Sequence, residues 1–303
     1  MIRPLTIAGV VAALVLGLAG PAQSLPVTLS VQLGDVHLFG EAQVTGRLDP
    51  PHPGAPIRVA FLHDGKVEEQ QTVPMAEDGS FSAIFDVDGW GRFHAEATWD
   101  GDGDHDPATA ASEAKHVDHP RALHQGAKGR WVEVLEDRLD ELGYYLRKPN
   151  RRFDAKTGDA VLAFHKVHGM PRSKGVSRRT WHRLTDPRTP KPRAKKPRVH
   201  IEVSQGRQVL FVVREGVVDE ILHVSTGAGG ATRNGVWHVH RKIAGYSPGR
   251  LYYPSYFDGN RAVHGWPDVP PTNASHGCVR VPMWAATHMH NIMHYGMEVR
   301  IYH

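Results

Sequence analysis

The chain has 303 residues, enough for two or three domains. Charged residues make up 22% and hydrophobic ones 40%, which excludes disorder outside linkers. The formal charge of +4 and isoelectric point near 9.2 are only mildly basic. They suit a polyanionic neighbour and do not call for nucleic acid.

Arg3 precedes an apolar run from Leu5 to Leu18, and small residues follow at Ala22 and Ser24. This pattern predicts a secretory signal over residues 1–24, cleaved after Ser24. A bilayer span takes about 20 apolar residues, more than the run supplies. No other stretch is apolar enough to cross a membrane. The expected location is secreted, periplasmic or cell-wall, with no stable membrane span after cleavage.

Residues 25–118 read as β. Val27, Leu29, Val31 and Leu33 alternate with polar neighbours. Ile57–Phe61 runs into Asp64-Gly65, a tight hairpin signal. Phe81, Ala83, Phe85 and Val87 alternate again, and Phe93 to Trp99 adds a strand. Short strands at this spacing predict a small immunoglobulin-like β-sandwich with no cysteine pair to clamp it. Asp100, Asp102, Asp104 and Asp106 then alternate in a Gly-rich loop. Clustered carboxylates suit calcium, but Pro107 stands where an EF-hand turn has glycine, and a solvated turn is the plainer reading.

Residues 119–186 change character. Val132, Leu135, Leu139 and Leu142 recur at helical spacing and Gly143 stops the helix. Phe153-Asp154 precedes a second helix with Ala160, Val161 and Phe164 on one side, ended by Gly169. Thr180 to Leu184 makes a third. The run Leu123–Leu184 resembles the three-helix peptidoglycan-binding domain, with His165 where that family has glutamine. Glycan binding is what the resemblance implies; the residues themselves are core and turn positions and fit a spacer as well. The Pro/Lys/Arg-rich segment 187–198 reads as an extended, solvated linker, with attraction to anionic polymers as the alternative.

From Val199 to His303 strands dominate: Val199 to Val203, Leu210 to Val212, Ile221 to Ser225, Val236 to Ile243, Leu251 to Phe257, Arg261 to His264 and a closing Val299 to Ile301. One helix follows Pro282, with Ala285, Met289, Ile292 and Met293 as its apolar stripe and Gly296 as its cap. A mainly-β sandwich with one covering helix is expected. His290 and His294 lie four apart, but no third ligand is evident, so no metal site is expected among the 21 histidines.

The only cysteine lies in Ser275-His276-Gly277-Cys278-Val279-Arg280, and Ala262-Val263-His264-Gly265 ends an upstream apolar run. A lone thiol, a histidine on a separate segment and a glycine just before the thiol are the parts of a cysteine nucleophile. The alternative is an inert buried thiol. Polar, flexible neighbours and the export signal favour the nucleophile. His264 would take the proton from Cys278, with His276 as the competing base. The N–H groups of Gly277 and Cys278 would hold the oxyanion. Arg280 offers a guanidinium fork for a substrate carboxylate, or a structural salt bridge. Ser275 is a candidate substrate contact.

The motif His264-Gly265 followed by Ser275-His276-Gly277-Cys278-Val279-Arg280 resembles the signature of L,D-transpeptidase catalytic domains of the YkuD type. Ile201–Leu210 is similar to that family's opening hairpin. Val224-Ser225-Thr226-Gly227 and Thr232-Arg233-Asn234-Gly235 are similar to its central strand and turn. Arg233 departs from the family's Thr-Pro-x-Gly, which suggests a looser turn, and the short gap to Ser275 suggests a trimmed loop. The resemblance implies a backbone carbonyl, here that of Gly265, as the group that orients the histidine. It implies peptidoglycan stem tetrapeptides as substrate, a thioester at Cys278 with loss of terminal D-Ala, and transfer to an amine in a 3→3 cross-link. It implies carbapenem-type β-lactams as inhibitors and no cofactor. The alternatives are an L,D-carboxypeptidase with water as acceptor and a non-catalytic wall-binding protein. A papain-like peptidase is disfavoured by a cysteine near the C-terminus with no helix before it.

Overall fold

The computed structural model describes residues 24–303; the expected signal peptide, Ser24 apart, lies outside the described residues. Contacts divide the chain into two compact units. One comprises the chain up to Asp35, Ala42–Phe85 and Arg92–Lys115; the other comprises Val36–Glu41, Asp86–Gly91 and His116–His303.

The N-terminal region is the immunoglobulin-like β-sandwich that the alternation predicts. Its strands are β1 (Thr28–Leu33), β2 (Glu41–Asp49), β3 (Pro56–His63), β4 (Lys66–Pro74), β5 (Ser80–Asp86), β6 (Gly91–Trp99), β7 (Ala108–Ala111) and β8 (Lys115–Val117). One sheet runs β1-β2-β5; the other runs β4-β3-β6-β7, with β8 also on β6. Asp64 (φ 48°) and Gly65 (φ 78°) make the tight turn between β3 and β4, both in the left-handed region that such hairpins require. Phe61 stacks on Phe85 and Phe93 at 5.2 and 5.3 Å. All three rings are fully buried, so aromatic packing does what a disulfide would otherwise do.

The helical module has α1 (Arg130–Glu141), α2 (Ala155–Val167) and α3 (Arg178–Thr185). Gly143 at φ 79° ends α1 and lets the Tyr144 N–H reach the Leu139 carbonyl at 2.8 Å. Asp154 caps α2 by accepting from the N–H groups of Lys156 and Thr157. His165 is buried, its ring bonded to the Ser173 carbonyl at 2.9 Å and to Thr180 Oγ1 at 3.0 Å. It replaces the family's glutamine as a polar tie between α2 and α3.

The C-terminal region folds as the YkuD-type sandwich. Strands β9 (Val199–Ser204), β10 (Val209–Arg214), β11 (Val217–His223), β12 (Gly235–His238), β13 (Arg241–Lys242), β14 (Tyr252–Asp258), β15 (Arg261–Trp266), β16 (Val279–Pro282) and β17 (Glu298–Tyr302) surround helix α4 (Met283–Ile292). One sheet runs β11-β10-β9-β17-β12, the other β13-β14-β15-β16. Their shared core takes Val203, Leu210 and Val212 from the first sheet, Val263, Val279 and Val281 from the second, and Ala285 and Met289 from α4. His294 lies beyond the end of α4 and bonds the Tyr295 carbonyl, while His290 bonds the Tyr253 carbonyl, so the two are not a helical pair.

Two expectations change. Every residue of α2 from Thr157 to Val167 is buried, not one side alone. The helix packs against α1 and also against β10 and β11. Nor is segment 187–198 a free linker. Buried Glu202 accepts from the backbone N–H groups of Arg193 and Ala194, both at 2.9 Å, and Arg193 lies over the Tyr302 ring at 3.9 Å. A buried carboxylate needs donors, and this strap supplies them.

Candidate active site

Strands β15 and β16 run parallel, with Val263 opposite Val279 and His264 opposite Arg280. Side chains alternate across a strand, so Val263, Val279 and Val281 enter the core while His264, Trp266 and Arg280 share the other face. Cys278 stands two residues before Arg280, just ahead of β16, and is half-buried. His264 thus lies on β15 and Cys278 just ahead of the strand paired with it.

His264 is 2% exposed, and its Nδ1 lies 2.9 Å from the Gly265 carbonyl oxygen. A carbonyl only accepts, so Nδ1 carries the hydrogen and Nε2 keeps the lone pair. Burial pulls the imidazole down to about 4, against the Gly265 carbonyl, and the Arg280 charge adds to the fall. Burial likewise pushes the Cys278 thiol up, opposed by the Ala262 backbone N–H and the Arg261 and Arg280 guanidiniums. The resting pair is a neutral thiol and a neutral imidazole. Sγ lies 3.9 Å from the Asn260 carbonyl oxygen.

The turn ahead of Cys278 is held by its own polar groups. Ser275 Oγ donates to the Cys278 carbonyl at 2.5 Å and accepts from the Gly277 N–H at 3.1 Å. Ser275 is 3% exposed, so the expectation of a substrate contact gives way: its hydroxyl builds the turn. The same bond occupies the Gly277 N–H, one of the two expected oxyanion donors. Gly277 has φ 126°, and a Cβ there would lie 2.9 Å from Arg261 Nε and 3.0 Å from the Ala231 carbonyl oxygen. Only glycine fits. At Gly265 a Cβ would meet Ala286 of α4 at 2.6 Å. His276 is exposed, outside this buried set.

Arg280 is half-buried over the Trp266 ring at 5.1 Å, and Trp266 meets the His264 ring edge-on at 5.6 Å. Among the described residues no carboxylate pairs with Arg280, which removes the salt-bridge alternative. Sequence reasoning missed Trp266, although its place two residues after His264 on a strand marks the same face. It also missed Arg261, which donates to the Ala231 carbonyl at 2.9 Å and pairs with Asp258 at 3.2 Å. The turn at Arg233 is not loose. Arg233 Nε donates to the buried Asp258 carboxylate at 2.9 Å, and Thr232 Oγ1 donates to the Gly277 carbonyl at 2.9 Å.

The loop between His264 and Ser275 is tied from below. His223 Nε2 meets the Val269 carbonyl at 2.9 Å, Arg172 meets that of Pro271 at 2.8 Å, and Ser225 Oγ that of Thr272 at 2.7 Å. A cleft of about 410 Å³, bordered by Arg241, Ile243, Leu251, Tyr256 and Asn260, shares Asn260 with the thiol's surroundings.

Residues 198–301 match the L,D-transpeptidase catalytic domain family, YkuD, and residues 128–184 match a putative peptidoglycan binding domain. No curated protein matches the chain. Among solved structures, the L,D-transpeptidase of Xylanimonas cellulosilytica (its residues 123–326) is 30% identical, with a TM-score of 0.56. The match covers 61% of this chain and 99% of that one. An L,D-transpeptidase from Stackebrandtia nassauensis is 24% identical over 61% of this chain and 98% of its own, with a TM-score of 0.37. With the identity and near-complete coverage of the Xylanimonas structure, the chain belongs to the L,D-transpeptidase family.

Proposed function

We propose that the protein is a cysteine acyltransferase acting on peptidoglycan stem tetrapeptides, with Cys278 as nucleophile and His264 as base. One observation carries the assignment: the Gly265 carbonyl takes the Nδ1 hydrogen of His264, leaving Nε2 as the acceptor on a strand paired with the one that Cys278 precedes.

Both groups are neutral at rest, so proton transfer accompanies attack. Nε2 takes the thiol hydrogen as sulfur bonds to the carbonyl carbon of the diamino-acid residue. The carbonyl oxygen becomes negative and is met by the Cys278 N–H, the member of the expected donor pair not engaged by Ser275. Collapse breaks the bond to D-Ala, whose amine leaves with the proton from His264. The thioester is then attacked by a side-chain amine of a second stem. His264 takes the amine's proton and returns it to sulfur, giving the 3→3 cross-link. The Arg280 guanidinium, 5.1 Å above the Trp266 ring, suits a stem carboxylate. Secretion to the cell wall or periplasm, acylation of Cys278 by carbapenems and glycan contacts by the helical module belong to the same reading. Among the described residues no helix is long and apolar enough to cross a membrane.

The test is mass spectrometry of muropeptides after incubation with purified disaccharide-tetrapeptide. A dimer lacking one D-Ala is expected, with adduct mass on Cys278 after carbapenem treatment. Cys278→Ala should abolish both, and retained turnover would end the nucleophile assignment. A product shortened by D-Ala with no dimer would identify water as acceptor.

A further inference from the structure

The loop after β6 carries the four alternating aspartates, which read as a solvated turn with calcium as the alternative. The structure separates those carboxylates. Asp100 makes a two-pronged pair with Arg58, both bonds at 2.6 Å, and Asp106 accepts from Ser24. Asp102 instead meets two imidazoles, His105 on the same loop and His52 on the Pro-rich loop between β2 and β3. Among the described residues, this is the group whose side chains converge as metal ligands.

The three ligand atoms form a nearly equilateral triangle. His52 Nε2 is 3.2 Å from His105 Nδ1 and 3.2 Å from Asp102 Oδ2, and His105 Nδ1 is 3.3 Å from the same Oδ2. Ligand atoms about 2.0–2.1 Å from a tetrahedral ion lie about 3.3 Å apart, so the triangle has the size of one tetrahedral face. The orientation of each ligand is fixed from behind. His52 Nδ1 donates to the Pro50 carbonyl at 2.9 Å, which leaves Nε2 bare toward the centre. Asp102 Oδ1 accepts the N–H groups of Asp104 and His105, both at 2.8 Å, and lies 3.0 Å from His105 Nδ1, while Oδ2 faces His52 Nε2. The Trp99 ring, 3% exposed, packs on His52 at 4.5 Å. Leu25 bridges to His105 and donates to the Asp104 carbonyl at 2.8 Å. The imidazole side chains are 17% and 18% exposed and that of Asp102 is 40% exposed, so an ion can enter and hold water as its fourth ligand.

We infer that His52, Asp102 and His105 form a binding site for a divalent transition ion of the zinc type in the N-terminal β-sandwich. Two nitrogens and one oxygen select such an ion over calcium, which takes six to eight oxygens. On binding, the His105 proton moves to Nε2 and the ion takes the space it shared with the carboxylate. His52 and His105 are 53 positions apart and meet only in the fold, so no spacing in the sequence marks them.

The experiment is calorimetric titration of the full tag-free chain, carrying Cys278→Ser to remove the thiol, with Zn2+. Visible absorption with Co2+ reports coordination number. One equivalent of Zn2+ should bind, with strong four-coordinate Co2+ bands. Asp102→Asn, close in shape to the parent, and His105→Gln should each weaken Zn2+ at least about tenfold. If His105→Gln loses its far-ultraviolet circular dichroism, Asp102→Asn alone decides. Unchanged affinity in the variants, no binding by the folded parent, or preference for Ca2+ would each overturn the site.

Discussion

His264 and Cys278 are both kept uncharged by burial, and this has a kinetic consequence. A thiolate–imidazolium pair would react with iodoacetamide at a rate that levels off below neutrality. Here the alkylation rate should climb through pH 9 with no plateau between about 5 and 8, since the thiol lies above its ordinary range. Rates measured across that range decide, and a plateau near pH 6 would mean an ion pair. Comparing His264→Ala with His276→Ala identifies the base: the first should suppress D-Ala release, the second should leave most of it. Ser275→Ala would strip the Gly277 N–H and the Cys278 carbonyl of their shared partner inside a buried turn. A loss of about 1–3 kcal/mol in denaturant unfolding is expected, with turnover falling as the turn loosens. The residues proposed to carry the chemistry stand out in the sequence because the thiol and its flanking glycine lie in one short motif. The role of Ser275 was not, because its partners depend on how the turn closes.

At the scale of elements, α2 acts as part of the catalytic region's support. Lys166 is buried, with Nζ 2.9 Å from the Gln208 carbonyl oxygen, 3.1 Å from that of Val224 and 2.6 Å from His223 Nδ1. His223 continues to the loop over the site through the Val269 carbonyl. Burial pulls the Lys166 ammonium down to about 6, with the Arg172 charge adding to the fall and the Asp159 charge opposing it, and burial holds the His223 ring neutral. Between about pH 6 and the ordinary lysine value of 10.5, the unfolded chain thus binds a proton that the folded chain has released. Stability should therefore rise with pH across that window, and Lys166→Met should flatten the rise. Urea midpoints of the two proteins from pH 6 to 10 check this. Removing residues 119–186 would uncover β10 and β11 and sever Arg172 and Lys166 from the site. An insoluble or molten product is expected, and a truncated protein with an unchanged melting temperature would show the module to be separable. Helix periodicity could not reveal this, because a sequence pattern shows which face is apolar but not that a second partner covers the rest.

For the whole molecule, the net charge of +4 predicts weak, screened attraction to anionic wall polymers. Sedimentation with sacculi should fall when salt rises from about 0.05 to 0.5 M, where the screening length drops several-fold. Salt-independent sedimentation would point instead to shape-specific glycan contacts. By itself the sequence determined the sandwich alternation and the helix stops at Gly143 and Gly169, and it marked His264 and Cys278 as the pair to test. These rest on periodicity and backbone conformation, which a few neighbouring residues decide. Only the tertiary structure decided that segment 187–198 straps onto Glu202, that α2 is covered on all sides, and that His52 meets Asp102 and His105. Those depend on desolvated polar groups finding partners far along the chain, and no local pattern records where a distant donor will arrive.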